Sequence, residues 1–453
     1  MKLLWFLLLT ALLPASSTAQ ETGRLDFAYE RFQLENGLDV VLHRTTATPF
    51  ASVFTSYEVG GGDDPEHLTG FAHLFEHLMH KYDEIEDLVE VGGGAVAMTD
   101  HDRTLYTMWG AKHALARMLA IDAHRMVNLL DRITPEDFDI ERDVVKNERW
   151  ERYDTRAYGN ARLLIDRALF PQGHPYHTPT IGSIRDIDAA SYSDVETFYR
   201  TFYGPNVATL IVMGDIDLQE TRRLIEQFYG PIPPIAPPAR ASASTLSAYD
   251  ERGEARIAYE DPLASSPRLY IQWRTVPAFH PAEAPLQAIV DLLDNRETGW
   301  LRKRLVDDLG VASGVWASYE LRDHASSLQI IATPREGRTL DEVLVAVDSE
   351  VSRMKAGPTE QDVTQFVRTN ETLWLATLQG AGNRATALER YTRLLGLPGY
   401  FETTRLQYRG LMPQDLSDAA LTYLTDDRRV VLSLVPAGQT DRAVSGSTFV
   451  TSD

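Results

Sequence analysis

The sequence predicts an α+β fold of two homologous domains, each a mainly antiparallel β-sheet packed with a layer of α-helices. The chain has 453 residues, a length that suits two large domains. Strand-like and helical runs occur in both halves without the strict βαβ order of a parallel sheet. A proline-rich stretch at 230–238 separates two halves whose elements follow a similar order, which indicates an internal duplication.

In the first half, strands are predicted where short runs are rich in apolar and β-branched residues, and helices where apolar residues recur with a period near 3.6. The predicted strands cover 38–43, 52–59, 95–109 and 208–213. The predicted helices cover 68–81, 111–130, 135–153, 191–202 and 218–228. The helix after Thr134 has the clearest start, because this hydroxyl and Pro135 are typical of an N-cap and a first helical turn.

The second half shows a comparable pattern. Strands are predicted at 269–275, 314–321, 327–333 and 430–435, a helix at 282–293, and further helices before the last strand. The predicted domains are therefore 20–230 and 251–453, joined by a linker at 231–250. A proline-rich linker of this kind is stiff and extended, and it predicts that the two halves can hinge.

Residues 1–19 have the three parts of a secretory signal peptide. Lys2 precedes an apolar run at 3–13, and small and polar residues follow as far as Ala19. A buried N-terminal helix is the alternative, which the charged start disfavours. Because an exported chain without cysteine needs no oxidative folding, the prediction is a periplasmic protein.

Composition excludes several classes of function. The chain has 44 basic and 65 acidic residues and a formal net charge of −21, which argues against nucleic-acid binding. The absence of cysteine excludes disulfides, thiolate catalysis and cysteine-type zinc sites. No phosphate-binding loop, dinucleotide fingerprint or nucleophile-elbow motif is present. A bound metal ion would therefore need His, Asp and Glu ligands.

The sequence H-x-x-E-H occurs once, at His73, Glu76 and His77. On a helix, residues four apart lie on one face, so both imidazoles can reach one ion. Glu76 lies on nearly the same face, where a carboxylate can hold a water molecule on the metal and take its proton. This order of residues defines the inverzincins. The alternative is a pair of core histidines, so a third ligand must be found downstream.

Glu141 and Glu148 are seven residues apart, two helical turns, and thus share a helix face. Val144 and Val145 lie between them and predict that this face is buried. A buried carboxylate needs a metal ion or a charged partner. The alternative is a solvated acidic face, which is the usual setting of glutamates on a surface helix.

These motifs together resemble the pitrilysin/insulinase family of zinc peptidases, which includes the mitochondrial processing peptidases. In that family the H-x-x-E-H helix is completed by a glutamate some seventy to eighty residues on, and here His77 and Glu148 are 71 residues apart. The resemblance implies that His73, His77 and Glu148 bind one Zn²⁺, that Glu76 is the general base, and that Glu141 supports a ligand. Other stretches that resemble the family lie at 173–176, 181–183, 206–215 and 228–233.

The resemblance also implies a substrate-binding edge strand, here formed by Gly94, Ala95, Val96 and Ala97. The family usually has an asparagine where this chain has Val96. An edge strand can still pair with an extended peptide through its main chain, so β-augmentation is expected to remain. The polar contact of the asparagine side chain is lost.

A larger departure lies in the second half, where active homodimeric members of the family carry an Arg and a Tyr. Val306 stands at the Arg position and Ser313 at the Tyr position. Arg302, Arg304 and Tyr319 are near but out of register. Some members of the family divide these residues between two chains. The resemblance therefore implies a heterodimer, in which a homologous subunit supplies the Arg/Tyr pair.

The leading hypothesis is a zinc-dependent endopeptidase that hydrolyses peptides or unfolded polypeptide segments and needs a partner subunit. The alternative is a non-catalytic peptide-binding or assembly subunit that keeps the peptidase fold. A structural metal site is a third possibility, but structural zinc normally has its fourth position closed by the protein. Glu76 favours the peptidase, because a binding subunit does not need a general base.

Overall fold

Two six-stranded sheets form the framework of the chain. The computed structural model describes residues 25, 27–81, 88–89, 92–240, 253–295 and 299–452. The predicted signal peptide and linker residues 241–250 lie outside the described residues. Among the described residues, no helix is long and apolar enough to cross a membrane.

The first sheet contains β1 (Glu30–Gln33), β2 (Asp39–Arg44), β3 (Phe50–Tyr57), β4 (Gly94–Thr99), β5 (Thr104–Ala111) and β6 (Ala208–Gly214). The second contains β7 (Ala255–Asp261), β8 (Arg268–Arg274), β9 (Ala312–Glu320), β10 (Ser327–Pro334), β11 (Arg429–Pro436) and β12 (Thr448–Phe449).

The helices of the first half are α1 (Phe71–His80), α2 (Leu115–Arg132), α3 (Pro135–Arg149), α4 (Ala161–Leu169), α5 (Ile184–Ala189), α6 (Tyr192–Phe202) and α7 (Leu218–Tyr229). Those of the second half are α8 (Glu283–Asp294), α9 (Leu340–Ala356), α10 (Glu360–Thr377), α11 (Ala381–Leu395), α12 (Phe401–Arg409) and α13 (Pro413–Tyr423).

The strand order repeats between the two sheets. The first sheet has the order β1-β2-β6-β3-β5-β4, in which β2 and β6 are parallel and the other described neighbours antiparallel. The second has the order β12-β7-β11-β8-β10-β9, in which β7 is parallel to β11 and β12. Strands β2 to β6 and β7 to β11 therefore take the same relative places and directions. The predicted fold class, two similar and mainly antiparallel α+β units, is confirmed.

The run 95–109, which the sequence predicts as one strand-like segment, is a hairpin of β4 and β5. Its turn is stabilised by Asp100, whose Oδ1 accepts the backbone N–H groups of Asp102 (2.8 Å) and Arg103 (2.9 Å). Aspartate favours turns because its side chain accepts hydrogen bonds from the backbone just ahead. The hairpin places β4 at the edge of the sheet.

Each half places a helix on the sheet of the other half. Leu388 and Tyr391 of α11 belong to one apolar cluster with Val41, Phe54 and Ile211 of the first sheet. In return, Leu164 and Ile165 of α4 pack with Tyr270, Leu432 and Leu434 of the second sheet. The described part of the linker is also attached to the first half. The Asn206 side chain accepts a hydrogen bond from the Ile235 N–H group (2.8 Å) and donates one to the Ile235 carbonyl (3.0 Å). The two halves therefore pack directly on each other in the described residues, and the hinge stays a prediction.

Buried charges reinforce this contact between the halves. Glu389 of α11 is 1% exposed and accepts hydrogen bonds from Ser56 Oγ (2.9 Å), Arg393 Nε (2.7 Å) and the guanidinium of Arg103. Arg393 also pairs with Asp323, and the Asp323 N–H group donates to Asp102 Oδ2 (3.0 Å). The network thus connects the β4–β5 hairpin of the first half with α11 and the loop after β9.

The buried carboxyl group of Asp102 predicts a pH-dependent stability. Burial raises the pKa of Asp102 to about 7, and the nearby carboxylates of Asp323 and Asp100 add to the rise. An aspartate in an unfolded chain has a pKa of about 3.9. Between these values the folded state binds more protons than the unfolded state, so the group lowers the free energy of unfolding as pH rises from about 4 to about 7. We expect Asp102→Asn to flatten this slope, measured by urea unfolding at several pH values.

The slope, rather than the absolute stability, is the readout for Asp102. The amide oxygen of an asparagine can accept the hydrogen bond from Tyr176 Oη (2.5 Å), but its amide nitrogen cannot accept a second hydrogen bond. The variant is therefore expected to be less stable at low pH while losing less stability as pH rises. An unchanged slope would contradict the assignment.

Candidate metal centre

Helix α1 packs its apolar side into the core of the first half and carries two histidines on the side towards α3. Phe75 and Leu78 are fully buried. The helix begins at Phe71, three residues later than predicted, because Gly70 has a φ of +89° and Asp64 caps the first turn. The Asp64 carboxylate accepts the N–H groups of Gly70 and Ala72, both at 2.7 Å. This cap fixes the start of the helix that carries the H-x-x-E-H motif.

Helix α3 begins as predicted at Thr134, whose hydroxyl accepts the Asp137 N–H group (3.2 Å). Glu141, Val145 and Glu148 are spaced i, i+4 and i+7, so they share the face that meets α1. Val145 is fully buried there. The prediction that Val144 is buried with this face is wrong: it is 41% exposed, because one residue turns the side chain by about 100° around the helix.

Three donor atoms converge between α1 and α3. Glu148 Oε2 lies 3.4 Å from His73 Nε2 and 3.5 Å from His77 Nε2. Donors at about 2.0–2.1 Å from a tetrahedral zinc ion are about 3.3 Å apart. Within the described ranges, these residues are the group of three His, Asp or Glu side chains whose donors could hold one metal ion.

The donor set fits a zinc ion chemically as well as by distance. Two imidazoles and one carboxylate are the ligands of a catalytic zinc site with an open fourth position. Glu148 Oε2 is buried and has no hydrogen-bond donor among the described residues. A buried carboxylate oxygen of this kind needs a cation. The residues therefore fit the group that the sequence predicts.

The side chains behind the donors orient them. His77 Nδ1 donates to Glu141 Oε2 (3.2 Å), which leaves the Nε2 lone pair directed at Glu148 and His73. Lys81 Nζ lies 3.1 Å from Glu141 Oε1, and Arg152 Nη1 lies 2.5 Å from Glu148 Oε1. In Glu141 and in Glu148, one carboxylate oxygen therefore contacts a basic side chain, and the other lies close to a histidine ring.

The electrostatics of this cluster favour the ligand protonation state of His73 and Glu148, whereas the two carboxylates beside His77 favour its protonated form. Burial, with His77 nearby, lowers the pKa of His73 to about 4. Burial also lowers the pKa of His77, but the neighbouring carboxylates of Glu148 and Glu141 outweigh it and the net pKa is raised. The contact with His77 lowers the pKa of Glu148. At neutral pH, His73 is therefore neutral and Glu148 ionised.

Glu76 lies beside the donors and faces β4. Thr99 Oγ1 donates to Glu76 Oε2 at 2.6 Å. Burial raises the pKa of Glu76, and the hydrogen bond from Thr99 opposes this rise. The sequence predicts the role of Glu76 but assigns none to Thr99 or Arg152. Thr99 ends the run that resembles the substrate-binding strand, and this position is the sequence feature that could have indicated its role. Nothing in the sequence indicates a role for Arg152.

The predicted substrate-binding residues Gly94, Ala95, Val96 and Ala97 form most of β4. This strand pairs with β5 on one side only, so its outer edge is free among the described strands. Ala95 and Ala97 pack against the core that contains α1, whereas Val96 is 53% exposed on the other face. The strand therefore lies beside the donor cluster with an edge that an extended peptide can pair with.

The residues of the second half at or near the positions of the Arg/Tyr pair make their described contacts within that half. Ser313 Oγ donates to the Thr333 carbonyl (3.3 Å), and Val306 packs against the core of the second half. Tyr319 Oη lies 3.1 Å from Thr275 Oγ1 within that half. Arg304 Nε lies 3.8 Å from Glu350 Oε1.

The other histidines that could have suggested ligands have structural partners. His174 Nδ1 accepts the Tyr176 N–H group (3.0 Å). His177 Nδ1 donates to the Phe170 carbonyl (2.6 Å). Their loop packs on the second half through Phe170 and Tyr176, which share an apolar cluster with Val430. These contacts give both residues a structural role in the loop.

Comparison with known families places both halves in one group. Residues 39–165 match the family described as "Insulinase (Peptidase family M16)", and residues 189–370 match "Peptidase M16 inactive domain". The chain belongs to peptidase family M16. His73, Glu76, His77 and Glu148 all lie within the first match, and the second match extends from residue 189 near the end of the first half into the half without an H-x-x-E-H motif.

Related M16 proteins are named as proteases. Zinc protease PqqE of Helicobacter pylori is 25% identical over 425 residues, which cover 90% of this chain and 93% of that protein. An uncharacterized zinc protease of Mycobacterium tuberculosis is 26% identical over 371 residues, which cover 77% of this chain and 80% of that one.

Solved M16 structures share the fold over most of the chain. A protease from Helicobacter pylori superposes with a TM-score of 0.81 at 22% identity, covering 90% of this chain and 100% of that one. The periplasmic protease PqqL from Escherichia coli superposes with a TM-score of 0.74 at 18% identity. That match covers 94% of this chain but 50% of PqqL, so this chain corresponds in length to half of that protein.

Proposed function

We propose that this chain is a zinc-dependent endopeptidase that hydrolyses peptides or unfolded polypeptide segments. The observation that supports the proposal most directly is the approach of His73 Nε2 and His77 Nε2 to within 3.4 and 3.5 Å of Glu148 Oε2. These three residues hold one zinc ion per chain. Bound zinc polarises the scissile carbonyl and lowers the pKa of water.

The side chains around the ion have separate roles. Glu76 takes the proton of the attacking water and returns it to the leaving amine. Glu141 holds the His77 ring through Nδ1, so that Nε2 is available as a ligand. The peptide pairs with the outer edge of β4 along Gly94, Ala95, Val96 and Ala97, which places its main chain beside Glu76.

The proposal includes a homologous partner subunit that carries the Arg/Tyr pair. Val306 and Ser313 cannot donate a charged or phenolic hydrogen bond to an oxyanion, and Tyr319 and Arg304 are engaged within the second half. The length match to half of PqqL supports an assembly in which two such chains, or two fused halves, form the working enzyme. The partner covers the metal centre and brings the pair to it.

We expect the zinc-loaded chain to hydrolyse a quenched fluorescent peptide mixture far faster with its partner than alone. Loss of one oxyanion donor lowers kcat by about 10²- to 10³-fold, and a missing pair costs at least as much. The measurement is the initial rate of the isolated chain, of the partner and of their mixture. A chelator should abolish the rate of the mixture, and added zinc should restore it.

Three results would overturn parts of this proposal. If the isolated chain were as active as the mixture, the partner requirement would be wrong. If the mixture kept its rate after complete removal of metal, the zinc assignment would fail. If neither the chain nor the mixture cleaved any peptide, the chain would be the non-catalytic peptide-binding or assembly subunit.

The proposal also places the protein in the periplasm. Residues 1–19 carry the signal-peptide pattern, and the family neighbour PqqL is described as periplasmic. Zinc coordinated by His and Glu, without cysteine, suits a compartment in which thiols are oxidised. Fractionation of cells that express the full-length chain, with N-terminal sequencing of the mature form, tests this assignment.

A further inference from the structure

Glu76 is held by a residue of the edge strand rather than by its own helix. Thr99 Oγ1 donates to Glu76 Oε2 at 2.6 Å, the usual length of a hydrogen bond from a hydroxyl to an ionised carboxylate. This bond joins α1 to the last residue of β4. It occupies Oε2, so the oxygen that remains to take a proton is Oε1.

The position of Thr99 is fixed from both sides of the strand end. It pairs with Thr104 in the β4–β5 ladder, and Thr104 Oγ1 donates to the Val59 carbonyl (2.8 Å). The following turn is closed by Asp100, which accepts two backbone N–H groups. A β-branched threonine in such a strand has a strongly restricted χ1 angle. The direction of its hydroxyl is therefore set by the backbone of the hairpin.

The same strand offers the free edge of the sheet. In β4, Ala95, Ala97 and Thr99 alternate with exposed Val96 and Met98, so Thr99 lies on the face towards α1. A peptide that adds to this edge forms main-chain hydrogen bonds along β4 as far as Thr99, the residue that donates to Glu76. A peptide on this edge therefore pairs with the strand whose last residue holds the base.

We propose that Thr99 is a positioning residue that couples peptide docking on β4 to the orientation of Glu76. This inference rests on the proposed peptidase function. Thr99 holds Oε2 of Glu76 so that Oε1 faces the attacking water, and the hairpin transmits the docking of the peptide to that hydroxyl. Thr99 itself takes no proton and does not contact the metal ion.

The test compares Thr99→Val, Thr99→Ser and Thr107→Val in the zinc-loaded chain with its partner. Valine has the shape of threonine without the hydroxyl, whereas serine keeps the hydroxyl without the branch. Thr107 is in β5 of the same hairpin and pairs with Val96, so its valine variant controls for loss of a strand hydroxyl. Kinetic constants, zinc content and a crystal structure of each variant are measured.

We expect Thr99→Val to lower kcat by about 10- to 100-fold, the effect of losing a hydrogen bond to a charged group, with KM changed less than about twofold. Thr99→Ser should keep kcat within about fivefold, and Thr107→Val should match the wild type. Zinc content should be the same in all. The crystal structure of Thr99→Val should show the Glu76 carboxylate displaced from its wild-type position.

Several outcomes would overturn the coupling. An unchanged kcat in Thr99→Val would do so, as would a raised KM with unchanged kcat, which would make Thr99 a peptide-binding residue. Equal losses in the valine and serine variants would indicate a purely structural role. If the wild type cleaves no peptide, the proposed function fails. The crystal structures still decide the positioning role, because an unmoved Glu76 in Thr99→Val refutes it without any activity.

Discussion

Replacing Glu76 by glutamine is expected to abolish peptide hydrolysis and to leave zinc bound. Glutamine has the same shape and its amide oxygen can still accept from Thr99, but the amide cannot take a proton from water. A positioned general base contributes about 10²- to 10⁴-fold, so kcat should fall by that factor. The rate is measured with the peptide mixture and the zinc content by elemental analysis.

A matched control for this variant is Glu136→Gln. Glu136 lies in the exposed first turn of α3, so its change alters one charge of the same kind away from the donor cluster. It should keep the wild-type rate. A Glu76→Gln variant with more than about a tenth of the wild-type kcat would show that another group acts as base. Loss of zinc from the variant would instead make Glu76 a ligand.

Local spacing explains which part of this site the sequence could predict. His73, Glu76 and His77 lie within two turns of one helix, so the 3.6-residue period alone brings them together. Glu148 lies on a different helix, and its approach to His73 depends on the packing of α1 against α3. The residues alone therefore left its role open, and only the resemblance to a family assigned it.

The interactions that sequence reasoning missed depend on long-range geometry. The hydrogen bond from Thr99 to Glu76 requires β4 to lie beside α1, and the strand order was not predictable from the pattern of apolar residues. The error at Val144 has a local cause, since a shift of one residue on a helix exchanges its buried and exposed faces. The Glu389 network joins residues from both halves, such as Ser56 and Arg393, which no local rule connects.

The Glu389 network joins the β4–β5 hairpin of the first half to the second half. Arg103, which pairs with Glu389, is the last residue of the turn between β4 and β5. The hairpin that carries Thr99 and the outer edge of β4 is therefore anchored to α11 of the second half. A half without a zinc motif thus supports the geometry of the half that has one.

We expect Glu389→Ala to be the most destabilising single change in this network. It removes the carboxylate that Ser56, Arg103 and Arg393 share, and leaves Arg103 in a buried site with Asp100 as its remaining acid partner. Removing one partner of a buried ion pair costs about 3–5 kcal/mol when the other charge stays buried without compensation, and Asp100 keeps the cost here towards the lower end of that range. The free energy of unfolding is measured by chemical denaturation, beside Glu196→Ala on the exposed face of α6.

A control variant and a double variant distinguish the loss of the Glu389 contacts from the general effect of a substitution in a helix on the free energy of unfolding. Glu196→Ala should change the free energy of unfolding by less than about 0.5 kcal/mol. Combining Arg103→Met with Glu389→Ala should recover part of the loss, because the double variant no longer buries an uncompensated guanidinium. Simple addition of the two single losses would mean that the charges do not interact. A loss below about 1 kcal/mol for Glu389→Ala would show that solvent reaches this contact between the halves.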